Sequence, residues 1–205
     1  MRARGESIGP QRAQRSALIE WARSVGKTLP FSHVEQFVRV SEGAEHVVFH
    51  DPSRGLAVKA THVNRFGHSV IAEGMSASPL EYVQRLVWHN TLFGDEICIE
   101  GVAFDEAQIE IITTQPWIVA SPQQPSPSQS EIDAYFSSIG FCKVELVPDV
   151  PLYFHRELGI LVADAHDRNI LRNESGALVP IDLVIGRPGP DLLRRITEQL
   201  DKTHP

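Results

Sequence analysis

The stretch LVADAHDRNILRNESGALVPIDLVIG, from Leu161 to Gly186, places polar side chains between two apolar runs that are typical of buried strands. A carboxylate that leaves water without a partner is very costly to bury, so these side chains require a neutralising group. A metal ion that bridges to phosphate is one candidate for that group. The side chains concerned are Asp164, His166, Asp167, Asn169 and Asp182.

The spacing within this stretch predicts a metal site. Residues 169–173 and 177–182 are typical of two short strands that enclose the turn Glu-Ser-Gly. Such a hairpin brings Asn169 close to Asp182, and both side chains offer the oxygen ligands that magnesium requires. Asp164 lies on the preceding loop, apart from the metal, where its carboxylate can accept a proton.

Composition limits the class of protein. The chain has 205 residues, of which 42% are hydrophobic and 22% charged, as in ordinary globular proteins. The net charge of −7 argues against general binding to nucleic acid or anionic membranes. No apolar segment resembles a secretion signal or a membrane span, so we expect a cytoplasmic protein. Cys98 and Cys142 are expected to be reduced core residues.

The first half of the chain predicts five strands, of which the first three form an antiparallel meander. Those three segments are short, rich in valine and phenylalanine, and separated by turn signals such as Asp51-Pro52 and Gly55. The ranges of the five strands are 35–40, 45–50, 55–61, 96–104 and 107–115.

A helix is predicted over residues 78–94, between the third and fourth strands. Ser78 is a typical N-cap, Pro79 suits the first helical position, and Gly94 is a stop signal. Its apolar spacing places one set of residues on a single face of the helix: Leu80, Val83, Leu86, Val87 and Asn90.

The order of elements predicts three regions. Further helices are expected over 13–25, 130–140 and 189–202, and the Pro/Ser/Gln tract 121–130 is expected to be a loop. We therefore divide the chain into an N-terminal helical extension (1–33), a lobe of strands with one helix (34–116) and a smaller mixed lobe (117–205).

Three motifs resemble the protein-kinase and aminoglycoside-phosphotransferase superfamily. DAHDRNIL (164–171) resembles its Asp-x-His-x-x-Asn-[Ile/Leu]-Leu catalytic loop, and IDL (181–183) stands where protein kinases carry Asp-Phe-Gly. LAVK (56–59) resembles the strand motif Val-Ala-Ile-Lys. The compact layout is similar to the small kinase-like domains of polyvalent proteins from phages and mobile elements.

The resemblance implies an α+β, bilobal protein kinase-like fold, with a five-stranded antiparallel N-lobe that contains one helix and a reduced C-lobe. It also implies an ATP- and Mg²⁺-dependent phosphotransferase that transfers the γ-phosphate to a hydroxyl of a protein or small molecule. In that reading Asp164 is the catalytic base, and Asn169 and Asp182 hold the metal.

The nucleotide-binding residues are likewise implied by the resemblance. Lys59 pairs with the α- and β-phosphates, and a glutamate on the next helix holds Lys59. Glu81 is the better match for that glutamate, and Glu73 is the alternative. Gly43 lies at the tip of the hairpin that covers the phosphates. His166 is expected to be structural and to hydrogen-bond loop backbone.

The departures from the kinase pattern leave several readings open. Leu183-Val184 replaces Phe-Gly, and the sequence ends 23 residues after Asp182, without an activation loop or a peptide-binding platform. A pseudokinase or nucleotide-binding interaction module without turnover is therefore an alternative. Others are an enzyme that transfers AMP, an unrelated fold with a coincidental Asp–Asn–Asp spacing, and a domain of a larger polypeptide that carries the acceptor.

Overall fold

The computed structural model describes residues 8–70, 76–124, 126–146 and 150–203, and within them the chain has an α+β fold. The chain divides into two compact units. Unit 1 contains the described residues up to His68, together with Ser76–Leu86 and Glu96–Trp117. Unit 2 contains residues 69–70, Val87–Asp95 and the described residues from Ile118 onward.

Unit 1 is built on a mixed sheet of six strands, so the predicted number of five is wrong. In spatial order the strands are β1 (Thr28–Leu29), β5 (Cys98–Phe104), β6 (Ile109–Pro116), β4 (Leu56–Thr61), β3 (His46–Asp51) and β2 (Val38–Glu42). The additional strand β1 pairs in parallel with β5, whereas the five predicted strands are antiparallel. A two-residue strand has too little sequence for a period-two pattern, which is why the sequence does not predict it.

Gly101 allows β1 to pack closely against β5. It lies at an irregularity in the pairing of β5 with β6. A Cβ atom at this position would lie 2.5 Å from Leu29 Cδ1 and 2.7 Å from the Lys27 carbonyl oxygen. The absence of a side chain at Gly101 therefore gives space to the segment that enters β1.

We expect Gly101→Ala to lower the free energy of unfolding by about 1–3 kcal/mol, because the Lys27 backbone cannot move aside as a flexible side chain can. The measurement is urea denaturation. Gly43→Ala is the matched control, since the nearest atom to its Cβ would be the His46 carbonyl oxygen at 3.9 Å. Equal stability of the two variants would contradict this account of Gly101.

The β3–β4 connection is a tight turn, as the sequence predicts. Asp51 accepts hydrogen bonds from the Ser53 amide (3.0 Å), the Ser53 hydroxyl (2.6 Å) and the Arg54 amide (3.2 Å). The Ser53 and Arg54 hydrogen bonds lower the pKa of Asp51 to about 2. Gly55 completes the turn with a φ of 66°.

At the edge of the sheet, β2 pairs only with β3 among the described strands. Val40 is an extra residue in this pairing, because the register shifts between Arg39 and Ser41.

Helices α1 (Ile8–Ser24) and α2 (Pro79–Phe93) confirm two of the predicted helices. The face that the apolar spacing defines is not the buried face of α2, because Leu80 and Val87 are 50% and 57% exposed. The stripe that is buried instead consists of Tyr82, Arg85 and His89. A search for apolar periodicity overlooks this stripe, since two of its three members are polar.

Unit 2 contains a four-stranded antiparallel sheet in the order β12 (Val184–Gly186), β9 (Ile160–Ala163), β8 (Leu152–His155) and β7 (Cys142–Val144). The predicted hairpin is present as β10 (Ile170–Arg172) and β11 (Leu178–Pro180). Helices α3 (Gln129–Ser138) and α4 (Pro190–Thr203) agree with the remaining predictions.

The side chains of unit 2 form two apolar clusters. One surrounds Phe136, Tyr153, Val162 and Leu183, and the other packs α4 against the sheet.

Both cysteines are free thiols, but Cys98 is exposed and therefore not a core residue. No helix in the described part of the chain is long and apolar enough to cross a membrane.

Candidate functional site

The candidate catalytic loop lies at one end of the sheet of unit 2. Strands β9 and β12 are antiparallel neighbours, and Ala163 at the end of β9 pairs with Val184 at the start of β12. Asp164 follows β9 directly, and Leu183 precedes β12 directly. The chain between them forms the loop to Asn169 and the β10–β11 hairpin. Asp164 and Asp182, which are 18 residues apart in sequence, therefore lie at the same end of the sheet.

Asp164 has an unusual backbone conformation that Asn169 supports. Its φ is 61°, in the left-handed region that Asp tolerates better than most residues do. The Asn169 side-chain amide donates to the Asp164 carbonyl oxygen at 2.9 Å and to Asp164 Oδ2 at 2.8 Å. One amide group thus holds both the backbone and the carboxylate of Asp164, while 53% of that side chain remains exposed.

His166 contributes to the same arrangement through its two ring nitrogens. The Arg168 backbone N–H donates to His166 Nδ1 at 3.2 Å, which assigns the proton of the neutral ring to Nε2. Nε2 lies 3.3 Å from Asp164 Oδ1. The bond from the Arg168 backbone agrees with the structural role expected for His166.

The hairpin brings Asp182 towards Asn169 through the backbone. The Ile181 N–H donates to the Asn169 carbonyl oxygen at 2.8 Å, and Ile170 pairs with Pro180. Because the Asn169 NH₂ group donates to Asp164, its Oδ1 is the atom left to accept or to ligate. An amide oxygen and a carboxylate are ligands of the kind that magnesium takes, so these residues fit the metal implied by the sequence.

Lys59 lies in the middle of β4 in unit 1. Val48 on β3 and Thr113 on β6 are directly opposite it, and its side chain is half-buried. His46 pairs with Thr61, two residues further along β4, and so lies on the same face of the sheet as Lys59. His46 Nε2 is 2.9 Å from the Tyr82 hydroxyl, so the first part of α2 covers this face.

Gly43 lies in the connection between β2 and β3, as predicted. Its N–H donates to the His46 carbonyl oxygen at 2.8 Å, and its carbonyl oxygen lies 2.9 Å from His62 Nε2. The Gly43 amide therefore stabilises the turn itself. Any phosphate donor in this connection has to be a neighbouring amide.

Glu81 serves as a cap of α2. Its Oε2 accepts a hydrogen bond from the Ser78 backbone N–H at 2.8 Å, and the Glu81 N–H donates to the Ser78 hydroxyl at 3.3 Å. This reciprocal pair is a capping box. The pairing of Glu81 with Lys59 remains a prediction, and Glu73, the alternative partner, lies outside the described residues.

The sequence interpretation missed a buried ion pair between α2 and the β2–β3 connection. Arg85 donates to both carboxylate oxygens of Glu45, at 3.2 and 2.6 Å, and the two side chains are only 5% and 11% exposed. The His68 amide also donates to Glu45, at 2.8 Å. The burial of Arg85 could have been predicted only if the search for the buried stripe of α2 had allowed charged residues as well as apolar ones.

Comparison with known proteins adds the following. A family model described as "Serine/Threonine/Tyrosine Kinase found in polyvalent proteins" matches residues 11–186, which is most of the chain. The match begins inside α1 and ends at the last residue of β12, so it includes every candidate residue described above. A comparison with curated proteins finds no match.

Proposed function

Because the chain belongs to the family of serine/threonine/tyrosine kinases found in polyvalent proteins, we propose that it is an ATP- and magnesium-dependent phosphotransferase. It transfers the γ-phosphate of ATP to a hydroxyl of a protein or small molecule. The observation that carries the proposal is the pairing of β9 with β12, which brings Asp164 and the Asp182 segment to one end of a sheet. Asn169 donates to Asp164 through its side chain and accepts from the Ile181 N–H through its carbonyl oxygen. It therefore links Asp164 to the residue that precedes Asp182.

Asp164 is the proposed base. The acceptor oxygen forms a bond to the γ-phosphorus, the bond from that phosphorus to the bridging oxygen breaks, and ADP leaves. Asp164 orients the acceptor hydroxyl and takes its proton. Its exposed carboxylate is accessible to an acceptor, and Asn169 and His166 hold its two oxygens in place. Such fixed geometry is the main contribution that a protein makes to phosphoryl transfer.

Asn169 Oδ1 and the Asp182 carboxylate are the proposed magnesium ligands. When bound, Mg²⁺ would offset the negative charge of the phosphates. Lys59 contributes a further positive charge to the α- and β-phosphates, and Glu81 is the proposed partner that orients it. Gly43 is the proposed tip of the phosphate-covering hairpin.

The proposal includes a bilobal kinase-like fold. The six-stranded sheet belongs to its N-lobe, and the loop that contains Asp164 belongs to its C-lobe. The lobe boundaries 34–116 and 117–205, and the separation of residues 1–33 as an extension, stay predictions.

A pseudokinase that binds nucleotide without turnover is the second candidate. One observation favours it. The Gly43 amide is engaged within its own turn, whereas an active enzyme needs the covering hairpin to contribute to nucleotide positioning.

The test is a thermal melt of the wild type and of Asp182→Ala, with and without ATP and magnesium. At a ligand concentration 100 times the dissociation constant, binding stabilises the folded state by about 2.7 kcal/mol. For a chain of this length, that corresponds to a rise in melting temperature of about 5–10 °C. We expect this rise in the wild type only when magnesium is present, and we expect Asp182→Ala to lose it.

Glu174→Ala is the matched control for the melt. Glu174 is an exposed acid in the turn between β10 and β11, so its removal should leave the rise intact. A folded wild-type protein that shows no rise would contradict the proposed function, and the catalytic assignments would then fall with it.

A further inference from the structure

His89 and Asp95 form a buried polar pair in unit 2. His89 Nδ1 lies 2.6 Å from Asp95 Oδ2, and the two side chains are 3% and 4% exposed. Gly94, with a φ of 67°, ends α2 between them and lets the chain turn back towards the helix. A buried carboxylate and imidazole in direct contact are costly to retain, so the pair calls for a role.

The second ring nitrogen of His89 reaches the peptide groups of Leu183. His89 Nε2 lies 3.1 Å from the Leu183 carbonyl oxygen and 3.3 Å from the Leu183 backbone nitrogen. Leu183 is fully buried, so its backbone N–H needs an acceptor within the protein. With the proton of neutral His89 on Nδ1, where Asp95 accepts it, Nε2 can accept the Leu183 N–H.

Leu183 directly follows Asp182, so the contact acts at the edge of the proposed metal site. On the other side of Asp182, the Ile181 N–H is held by the Asn169 carbonyl oxygen. The backbone N–H groups of the residues before and after Asp182, Ile181 and Leu183, are thus both held by hydrogen bonds to other segments. One support comes from the hairpin, and the other comes from the last part of α2.

We propose that His89 and Asp95 are a positioning pair that holds the Asp182–Leu183 segment in the conformation in which the Asp182 carboxylate can ligate magnesium. Asp95 orients the imidazole, and the imidazole holds Leu183. Neither residue touches the substrate. The inference rests on the proposed function, because it takes Asp182 as a metal ligand.

The first test is local and does not depend on activity. Hydrogen exchange is measured across residues 178–186 of the unliganded protein, in the wild type, in His89→Ala and in His89→Gln. We expect faster exchange of the Leu183 amide in His89→Ala, because its acceptor is gone. The glutamine side chain places an acceptor near the position of Nε2, so it should restore part of the protection. Unchanged exchange in His89→Ala would overturn the proposal.

The second test measures the apparent dissociation constant of magnesium at saturating ATP. Partners around metal ligands typically change metal affinity about 10–100-fold, and we expect a rise of that size in His89→Ala. ATP binding without magnesium should change little. Asp95→Asn is the milder variant, because its side-chain oxygen can still accept the Nδ1 proton, and we expect an intermediate rise.

The control separates positioning from loss of stability. Leu200→Ala removes a buried side chain from the cluster that packs α4 against the sheet, away from the cluster that contains Leu183. It should lower the melting temperature but leave the magnesium dissociation constant at the wild-type value. Equal constants in His89→Ala and Leu200→Ala would overturn the positioning role and leave the proposed function standing.

The two possible failures are distinguishable. If the wild type shows no magnesium-dependent nucleotide binding, the proposed function fails and the positioning role fails with it. The exchange experiment would still report whether His89 holds Leu183 in that case. If the wild type binds ATP and magnesium, the proposed function stands. The positioning role alone is then wrong if the His89 and Asp95 variants have the same magnesium dissociation constant as Leu200→Ala.

Discussion

Asp164→Asn is expected to lower kcat for phosphoryl transfer by about 10²–10⁴-fold, the usual contribution of a positioned general base. Asparagine has nearly the shape of aspartate and also tolerates the left-handed backbone found at this position, where φ is 61°. Its side-chain oxygen can still accept one hydrogen bond, but it cannot take a proton at neutral pH. The variant should therefore fold and bind nucleotide as the wild type does.

The measurement follows label from the γ-phosphate of ATP into water or into the protein itself. A melt with ATP and magnesium shows in parallel that the variant still binds nucleotide. Asp167→Asn is the control, because Asp167 is an exposed residue of the same loop and should be replaceable without loss. Transfer by Asp164→Asn at the wild-type rate would exclude Asp164 as the base. Transfer of label from the α-phosphate instead would point to an enzyme that transfers AMP.

Arg85→Met is expected to lower the free energy of unfolding by about 3–5 kcal/mol, the usual cost of removing one partner of a buried ion pair. The Glu45 carboxylate would stay buried and would keep the His68 amide as a donor, but it would lose both bonds from Arg85. The guanidinium also lies 5.1 Å from the centre of the Tyr82 ring, and that contact disappears as well. Chemical denaturation measures the loss.

The double variant Glu45→Gln, Arg85→Met should recover much of this loss, since the Glu45 carboxylate is then no longer left buried without the Arg85 guanidinium. The exposed pair of Arg39 with Glu42 on β2 is the control. Arg39→Met should cost no more than about 1 kcal/mol, because surface ion pairs contribute little. Equal losses of unfolding free energy in Arg39→Met and Arg85→Met would contradict the argument that burial makes the Glu45–Arg85 pair costly to break.

The sequence predicted most elements of the fold because their periods and end signals are local. The strand from 55 to 61 and the helix from 78 to 94 are bounded by Gly, Ser and Pro, and the structure has them within two residues of the predicted bounds. Strand β1 escaped prediction because it is defined by its neighbour β5 and by the space at Gly101. The apolar spacing of α2 does not identify its buried face, because the buried stripe contains Arg85 and His89.

The candidate site was partly predictable for the same reason. Asp164, Asn169 and the hairpin lie within a short segment, so their proximity follows from local turns. Glu45 and Arg85, and likewise His89 and Leu183, meet only through tertiary packing. Each of these contacts joins α2 to a distant segment, and no local spacing encodes such a meeting.

The two edges of the six-stranded sheet affect how the protein behaves at high concentration. An exposed strand edge can pair with another chain and start aggregation. At one edge, β1 has only two residues, too few to recruit a foreign strand. At the other, β2 exposes Val38 and Val40, but the bulge at Val40 and the charged neighbours Arg39 and Glu42 interrupt a regular ladder. We therefore expect the irregularity in β2 to hinder edge-to-edge pairing between the sheets of two copies of the chain.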